Sequence, residues 1–528
     1  MRHAEPHDDS RPIAGDGFIS LAEILSALSF ALDLTEGAVH GHAVRSCLLG
    51  MRIAEEAGIA DDEVFDLYYA LLLKDIGCSS NAARMCQIVG GDDRAMKAGA
   101  KTMDWTSPRT PKLSTLRLLW KTVLPEASAA RRIAHILEMG RTQAANNKEM
   151  IAMRCERGAS ILRKLEFSLR AADAVRCLDE HWNGSGYPDG LQGDRIPYLS
   201  RILSIAQHLD VFSTGESPKA AIDVLLARSG RWFDPELVQA AISLHRRGEL
   251  WANCLPGDDE DETRQVAVEL APGATHYLQP ERIDQICEAF ADVVDAKSPY
   301  TFRHSLGVAG AAVGIAERLG LPSERIDFVR RAALLHDIGK LSVSNAILDK
   351  AGKLSKREWE AMREHPAHTR RILERVGAFC ELAKVAGEHH EKLDGTGYPD
   401  GLVAGQLSLE SRIVAVADVY GALSEDRPYR RGLSAERIVA MMQSDVPDKL
   451  DADCFEALRS GLHTEAACAD GQPTAPRRAT RAAPLHQPLW PVPASAVPQG
   501  GRLGRKVREA STRRTGNGTV YEPGAFQL

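Results

Sequence analysis

In the segment HSLGVAGAAVGIAERLG, which begins at His304, Leu306, Val313, Ile315 and Leu319 recur near helical spacing, and Gly320 follows them as a C-cap. The pattern predicts a helix there, a second over 328–341, and further helices over 358–376, 381–388 and 409–423. Runs that alternate apolar and polar residues are few. With only 5% aromatic residues and abundant Ala, Leu, Arg and Glu, the chain reads as mainly α.

The same pattern occurs twice. At an offset of 262, residues 20–78 run without gaps against 282–340, pairing Asp33 with Asp295, His42 with His304, Gly58 with Gly320, and LLLKDIG with ALLHDIG. At an offset of 211, residues 154–202 run against 365–413, pairing NGSGYPDGL with DGTGYPDGL. The offsets differ by 51 residues, which places an insertion in the first copy within 79–153. PGDDEDETRQ, at 256–265, is an acidic Pro/Gly-marked stretch that should stay solvated and join the copies. After about residue 469 the chain turns to Pro, Gly, Arg and Ala, with too little apolar content for a core. The expected organisation is a disordered N-terminus at 1–17, a first copy at 18–252, a linker at 253–278, a second copy at 279–468, and a disordered basic tail at 469–528.

At 528 residues the chain has room for two or three domains, and its formal net charge of -7 selects no polyanionic partner. The most apolar stretch, 19–34, is interrupted by Glu23 and Asp33, so no membrane span is expected. Residues 1–17 carry acids, prolines and histidines where a signal peptide needs a basic start and an apolar centre, so a cytoplasmic location is expected. Ten scattered cysteines without a CxxC pair argue against a disulfide framework and a thiolate zinc site. The arginines of the tail can meet anions through charge alone, but they lack any DNA-binding pattern, and nucleic acid is not an expected partner.

The second copy carries imidazoles and carboxylates on separate predicted helices: His304, His336 with Asp337, His365, His389 with His390, and Asp418. They are too far apart in sequence to form a local site, and only the fold can join them. Their motifs, HSLGVAG, ALLHDIGKLSV, EHP, HHEKLDGTGYPDGL, RIVAVADVY and DRPYRR, resemble in type and order those of the HD-GYP phosphodiesterases, a branch of the HD phosphohydrolases, over about 180 residues. The resemblance implies tandem all-helical HD-type domains, with catalysis in the second. It also implies metal ligation by His304, His336, Asp337, His365, His389, His390 and Asp418, with Asp337 bridging.

Such a ligand set suits phosphodiester hydrolysis, because two metals about 3.5–4 Å apart generate a nucleophile at neutral pH and stabilise the leaving oxygen. Imidazole and carboxylate donors fit two divalent ions from among iron, manganese, nickel and zinc. Read as helical neighbours, His336 and Asp337 point about 100° apart and can address one metal and the gap between two, with Lys340 one turn further along the same helix. By resemblance Asp337 and Lys340 are catalytic, and Lys340, Gly397, Tyr398, Pro399, Arg427 and Arg430 are substrate-binding. Tyr398 offers its ring either to a guanine or to the scaffold.

The implied reaction is hydrolysis of cyclic di-GMP to pGpG and on to GMP. Cyclic GMP-AMP or another nucleotide is the alternative substrate, and a non-catalytic signalling module the alternative class. The resemblance also associates the GYP loop with GGDEF-containing partners, and a homodimer is compatible with it. Tyr300 stands where some relatives place a third-metal Glu, which argues for two ions. Gly421 stands where an acid is usual, which predicts weaker support around the ligands.

At the matching places the first copy has Lys74 for His336, Cys78 for Lys340, Arg154 for His365, Leu178 and Asp179 for the His pair, and Gln207 for Asp418. Too few ligands remain, and Lys74 and Arg154 oppose a cation. This copy is therefore expected to be regulatory or scaffolding.

Overall fold

A computed structural model describes residues 19–103, 113–255, 257–273, 278–301, 303–426 and 431–470. The expected N-terminal extension, the bulk of the basic tail, and Arg427 and Arg430 lie outside them. Among the described residues there is no β-strand; the GYP loops carry only isolated bridges, Asn183 to Gln192 and Asp394 to Val403.

The first copy comprises α1 (Leu21–Glu36), α2 (His42–Glu56) and α3 (Asp61–Leu73), then an insertion of α4 (Ala82–Val89), α5 (Asp93–Lys101) and α6 (Leu113–Thr122). It continues with the long α7 (Ala129–Lys164), then α8 (Leu169–Arg176), α9 (Tyr198–Gly215), α10 (Pro218–Arg228) and α11 (Pro235–Arg247). Within the insertion, Val89, Met96 and Val123 form a small core of their own.

The segment read as a solvated linker contains another helix, α12 (Glu260–Glu269). Its acidic start is what a helix N-terminus favours: the Asp259 side chain accepts from the backbone N–H of Asp261 and Glu262, and three acids occupy the first turn. Ala267 is fully buried, and its carbonyl accepts the buried Tyr68 hydroxyl at 2.6 Å. This helix belongs to the first copy's packing. The charge pattern concealed it because only one narrow face is apolar.

The second copy begins with α13 (Pro280–Asp295) and α14 (His304–Arg318). The predicted helix at 328–341 is instead α15 (Ser323–Leu335), broken before a 3-10 turn at Ile338–Ser342, so His336 and Asp337 sit at a helix end. The short α16 (Asn345–Leu348) follows. The pattern over 358–376 divides into α17 (Lys356–Arg363) and α18 (His365–Leu373), which places His365 at a second junction. The copy is completed by α19 (Cys380–Gly387), α20 (Leu409–Ser424), α21 (Ala435–Met442) and α22 (Ala452–Asp470).

One continuous core runs from Ile19 to Leu458, so the copies share an interior. The equivalent helices α1 and α13 lie at its centre. Each packs against both the turn at Cys78–Asn81 and the turn at Ile338–Ser342. The described cysteines are all free, and no described helix is long and apolar enough to cross a membrane.

The glycine of each DIG sequence makes the tightest approach in its copy. A Cβ on Gly339 would lie 1.9 Å from the His365 carbonyl oxygen, and one on Gly77 would lie 2.0 Å from that of Arg154. Both neighbours are backbone atoms, which cannot swing aside. Gly339→Ala should therefore cost about 1–3 kcal/mol of stability and displace His365. Thermal unfolding and metal titration should both register the change.

Candidate metal centre

Three histidines of the second copy occupy the same local setting. His336 follows α15, His365 lies two residues past α17, and His389 lies two past α19. The last carbonyls of an α-helix have no partner within it. Here the imidazoles supply one, with Nδ1 donating at 2.7 Å to the carbonyl three residues back, in Ala333, Met362 and Ala386 respectively. A carbonyl can only accept, so Nδ1 keeps its proton and Nε2, aimed inward, is the nitrogen each ring can offer to a metal.

These nitrogens converge on Asp337, whose two carboxylate oxygens face different groups. Oδ2 lies 3.5 Å from His304 Nε2 and 3.3 Å from His336 Nε2, and both of those nitrogens are within 3.5 Å of Asp418 Oδ1. Oδ1 lies 3.4 Å from His365 Nε2 and 3.7 Å from His389 Nε2. His390 is 3.5 Å from the other oxygen of Asp418. The fold thus gathers all seven expected ligands into two overlapping sets, with Asp337 shared between them.

His304 Nε2, His336 Nε2 and Asp337 Oδ1 are buried without a hydrogen-bond partner. Each such atom ordinarily costs about 1–3 kcal/mol. Their convergence is what a cation would satisfy, and the described groups of His, Asp and Cys that can hold an ion include His365/His389/His390 and His304/His336/Asp418. Without an ion the charges lean on one another. Burial would raise the Asp337 carboxyl, but His336 and Lys340 hold it well below the usual range. Burial would lower His336, but the Asp337 and Asp418 carboxylates push it up to about 10. For His389, burial and the neighbouring His336 act together and bring it down to about 4.

Lys340 is carried by the 3-10 turn and not by the helix of His336. Its Nζ lies 2.5 Å from Asp337 Oδ2. In the GYP loop a Cβ on Gly397 would lie 2.5 Å from Glu391 Cα, so the chain passes itself there too closely for any other residue. The Glu391 carboxylate accepts the N–H groups of Asp400, Gly401 and Leu402 at 2.7, 3.1 and 2.9 Å, and Glu180 does the same in the first copy. The Tyr398 ring is 4.8 Å from that of His390, and the Arg363 guanidinium lies 4.8 Å from the Tyr398 centroid. Tyr398 is thus engaged with the scaffold. Pro399 follows it in the same loop.

The support expected to be weak at Gly421 is present. In the first copy Asp210 occupies the equivalent position, and its Oδ2 lies 2.6 Å from His42 Nδ1. In the second copy Glu425, one helical turn beyond Gly421, reaches His304 Nδ1 at 2.9 Å. Glu425 passes beside Gly307, which replaces Arg45, and fills the role of the missing acid. A search for acids one turn away from Gly421 would have found it.

The first copy resolves the same buried carboxylate differently. Lys74 pairs directly with Asp75, and Lys101, from α5 of the insertion, lies 3.5 Å from Asp75 and 3.0 Å from Glu36. Lys97 joins at 3.5 Å from Glu36, and Arg154 pairs with Asp179. Burial opposes ionisation of Asp75, yet Lys101 and Lys74 hold its carboxyl well below the usual range. Ammonium groups stand where the second copy presents metal donors. Lys97 and Lys101 have no counterpart in the repeat, so comparing the copies did not reveal them.

A model of the HD domain family matches residues 111–237 and 288–454. The chain is 41% identical over 444 residues to the 3'3'-cGAMP-specific phosphodiesterase 3 of Vibrio cholerae, covering 84% of this chain and 95% of that protein. It is 42% identical over 146 residues to a cyclic di-GMP phosphodiesterase of Pseudomonas aeruginosa, covering 27% of this chain and 35% of that one. The crystal structure of a cyclic GMP-AMP specific phosphodiesterase from V. cholerae superposes with a TM-score of 0.58 at 36% identity, covering 85% of this chain and 98% of that chain.

Replacing Glu425 by Gln should leave the fold intact and weaken metal binding about 10- to 100-fold, as loss of a ligand-orienting partner does; competition with a fluorescent chelator measures it. Metal content measured by elemental analysis should fall to near zero in Asp337→Ala and stay unchanged in Asp75→Asn.

Proposed function

Because this chain belongs to the HD domain family of metal-dependent phosphodiesterases, we propose that its second copy hydrolyses a 3',3'-cyclic dinucleotide at a dinuclear centre, with cyclic GMP-AMP as the preferred substrate. The observation that carries the reading is the Asp337 carboxylate, each of whose oxygens faces its own set of imidazoles. One ion would be held by His304, His336, Asp337 and Asp418, the other by Asp337, His365, His389 and His390. The donor set suits iron, manganese, nickel or zinc.

When bound, two such ions supply a nucleophile at neutral pH and neutralise charge on the leaving oxygen. The protein's own groups do the rest. Hydrolysis adds a water oxygen to phosphorus and breaks one P–O bond of the ring, giving a linear dinucleotide. Lys340 is placed to exchange its contact with Asp337 for a phosphate oxygen, and Arg427 and Arg430 are assigned the remaining phosphate contacts by their motif. Gly397, Tyr398 and Pro399 hold the loop beside His390, Tyr398 acting through its ring contact.

Cyclic GMP-AMP is placed first because the relative matched along nearly its whole length, duplication included, is named for that substrate. Cyclic di-GMP is the second reading, favoured by the phosphodiesterases named for that substrate that match 27% and 28% of this chain. Purified protein loaded with Mn²⁺ or Fe²⁺ should convert 3',3'-cyclic GMP-AMP faster than cyclic di-GMP when the products are separated by chromatography. Asp337→Ala should lose activity by about a thousandfold or more, which corresponds to the several kcal/mol that metal polarisation contributes. Both substrates surviving in the metal-loaded wild type would defeat the reading.

A further inference from the structure

The insertion in the first copy does more than fill that copy's centre. From its C-terminal half, α5 sends Lys97 and Lys101 into the cluster around Glu36 and Asp75, and Lys97 also donates to the Cys78 carbonyl at 2.5 Å. At its N-terminus it grips the second copy. Asp93 is fully buried; its Oδ1 accepts the Ser344 hydroxyl at 2.9 Å and the Asn345 backbone N–H at 2.8 Å. Arg94 donates through Nε to the Leu34 carbonyl at 2.9 Å and through its terminal nitrogen to the Ser342 carbonyl. A fourth contact from within the second copy, buried Lys297 to the Leu341 carbonyl at 3.2 Å, anchors the same stretch.

The gripped stretch directly continues the 3-10 turn at Ile338–Ser342, which carries Lys340 and starts from Asp337. A turn of this kind has few internal hydrogen bonds to define it. Its position relative to α15 therefore depends on what holds its far end, and that hold is shared. Asp93 and Arg94 supply it from the first copy, and Lys297, whose carbonyl also accepts from Asn345 Nδ2 at 2.7 Å, supplies it from the second. Burial of Asp93 makes its two hydrogen bonds costly to break, because the carboxylate would be left unpaired in the interior.

We propose that Asp93 and Arg94 are positioning residues for the Asp337–Lys340 turn, and that the lysine-filled centre of the first copy is the mount that fixes them. A first copy without metal is then the component that sets the geometry of the second. The inserted helix joins the two centres, anchored in one by its lysines and fastened beside the other by its N-terminus. This deepens the proposed function and rests on it for the rate effect, whereas the clamp itself is a property of the fold.

The test compares Asp93→Ala, Asp93→Asn and Arg94→Ala in the full chain. Asn keeps an acceptor oxygen for Ser344 and Asn345, whereas Ala keeps none. Expected for Asp93→Ala and Arg94→Ala is a fall in kcat of about 10- to 100-fold, the scale of an ångström of misplacement, with KM and metal content near the wild-type values. Amide exchange over 338–345 should quicken in both, and Asp93→Asn should restore most of the rate and of the protection.

Unchanged exchange and unchanged kcat in the alanine variants would overturn the proposal, as would equal losses in Asn and Ala or a rate falling only in step with lost metal. Should Asp93→Ala fail to fold, Arg94→Ala and Asp93→Asn still decide it. Should the wild type hydrolyse no cyclic dinucleotide, the functional reading fails and amide exchange alone judges the clamp.

Discussion

A carboxylate buried at the end of a helix must be given positive charge, and the second copy is organised around that demand at Asp337. Its side chain is almost wholly inaccessible and is ringed by the Nε2 atoms of four histidines. Those nitrogens are free to face it because three of the rings have spent Nδ1 on the unpaired carbonyls of helix ends, and the fourth has spent it on Glu425. The helix breaks after Leu335, Arg363 and Gly387 are therefore part of the site. An uninterrupted helix would have kept those carbonyls for itself.

The two copies answer the same demand with different cations. At Asp75 the charge comes from Lys74 and Lys101, held covalently by the chain. At Asp337 the only ammonium among the described residues is Lys340, and the charge is otherwise left to the surrounding imidazoles, whose Nε2 atoms are the ones a metal would take. A protein that once repeated itself has thus acquired one centre that is complete without an ion and one that is not. The shared core ties them together, since α1 and α13 both pack on both turns.

Much of this was legible in the chain. The repeat exposed the scaffold twice, and the motif order pointed to the seven side chains that the fold gathers around Asp337 and Asp418. The helix junctions were not legible. Apolar spacing continues smoothly across 335–338 and across the boundary of α17 and α18, while the breaks are marked by imidazoles that take up the carbonyl three residues back. Glu425 escaped notice because it stands one turn from the position where an acid was sought. The acidic segment at 256–265 resembled a linker because charges suited to a helix N-terminus and charges suited to solvent look alike in composition. Lys97, Lys101, Asp93 and Arg94 lie in the insertion, where the repeat offers nothing to compare.

The central claim is that one carboxylate divides the donors of the second copy between two ions while ammonium groups exclude them from the first. Anomalous diffraction from crystals grown with Mn²⁺ tests it most directly. Two peaks about 3.5–4 Å apart on either side of Asp337, and none beside Asp75, is the result predicted. A single peak at Asp337, or any ion bound between Asp75 and Glu36, would contradict it.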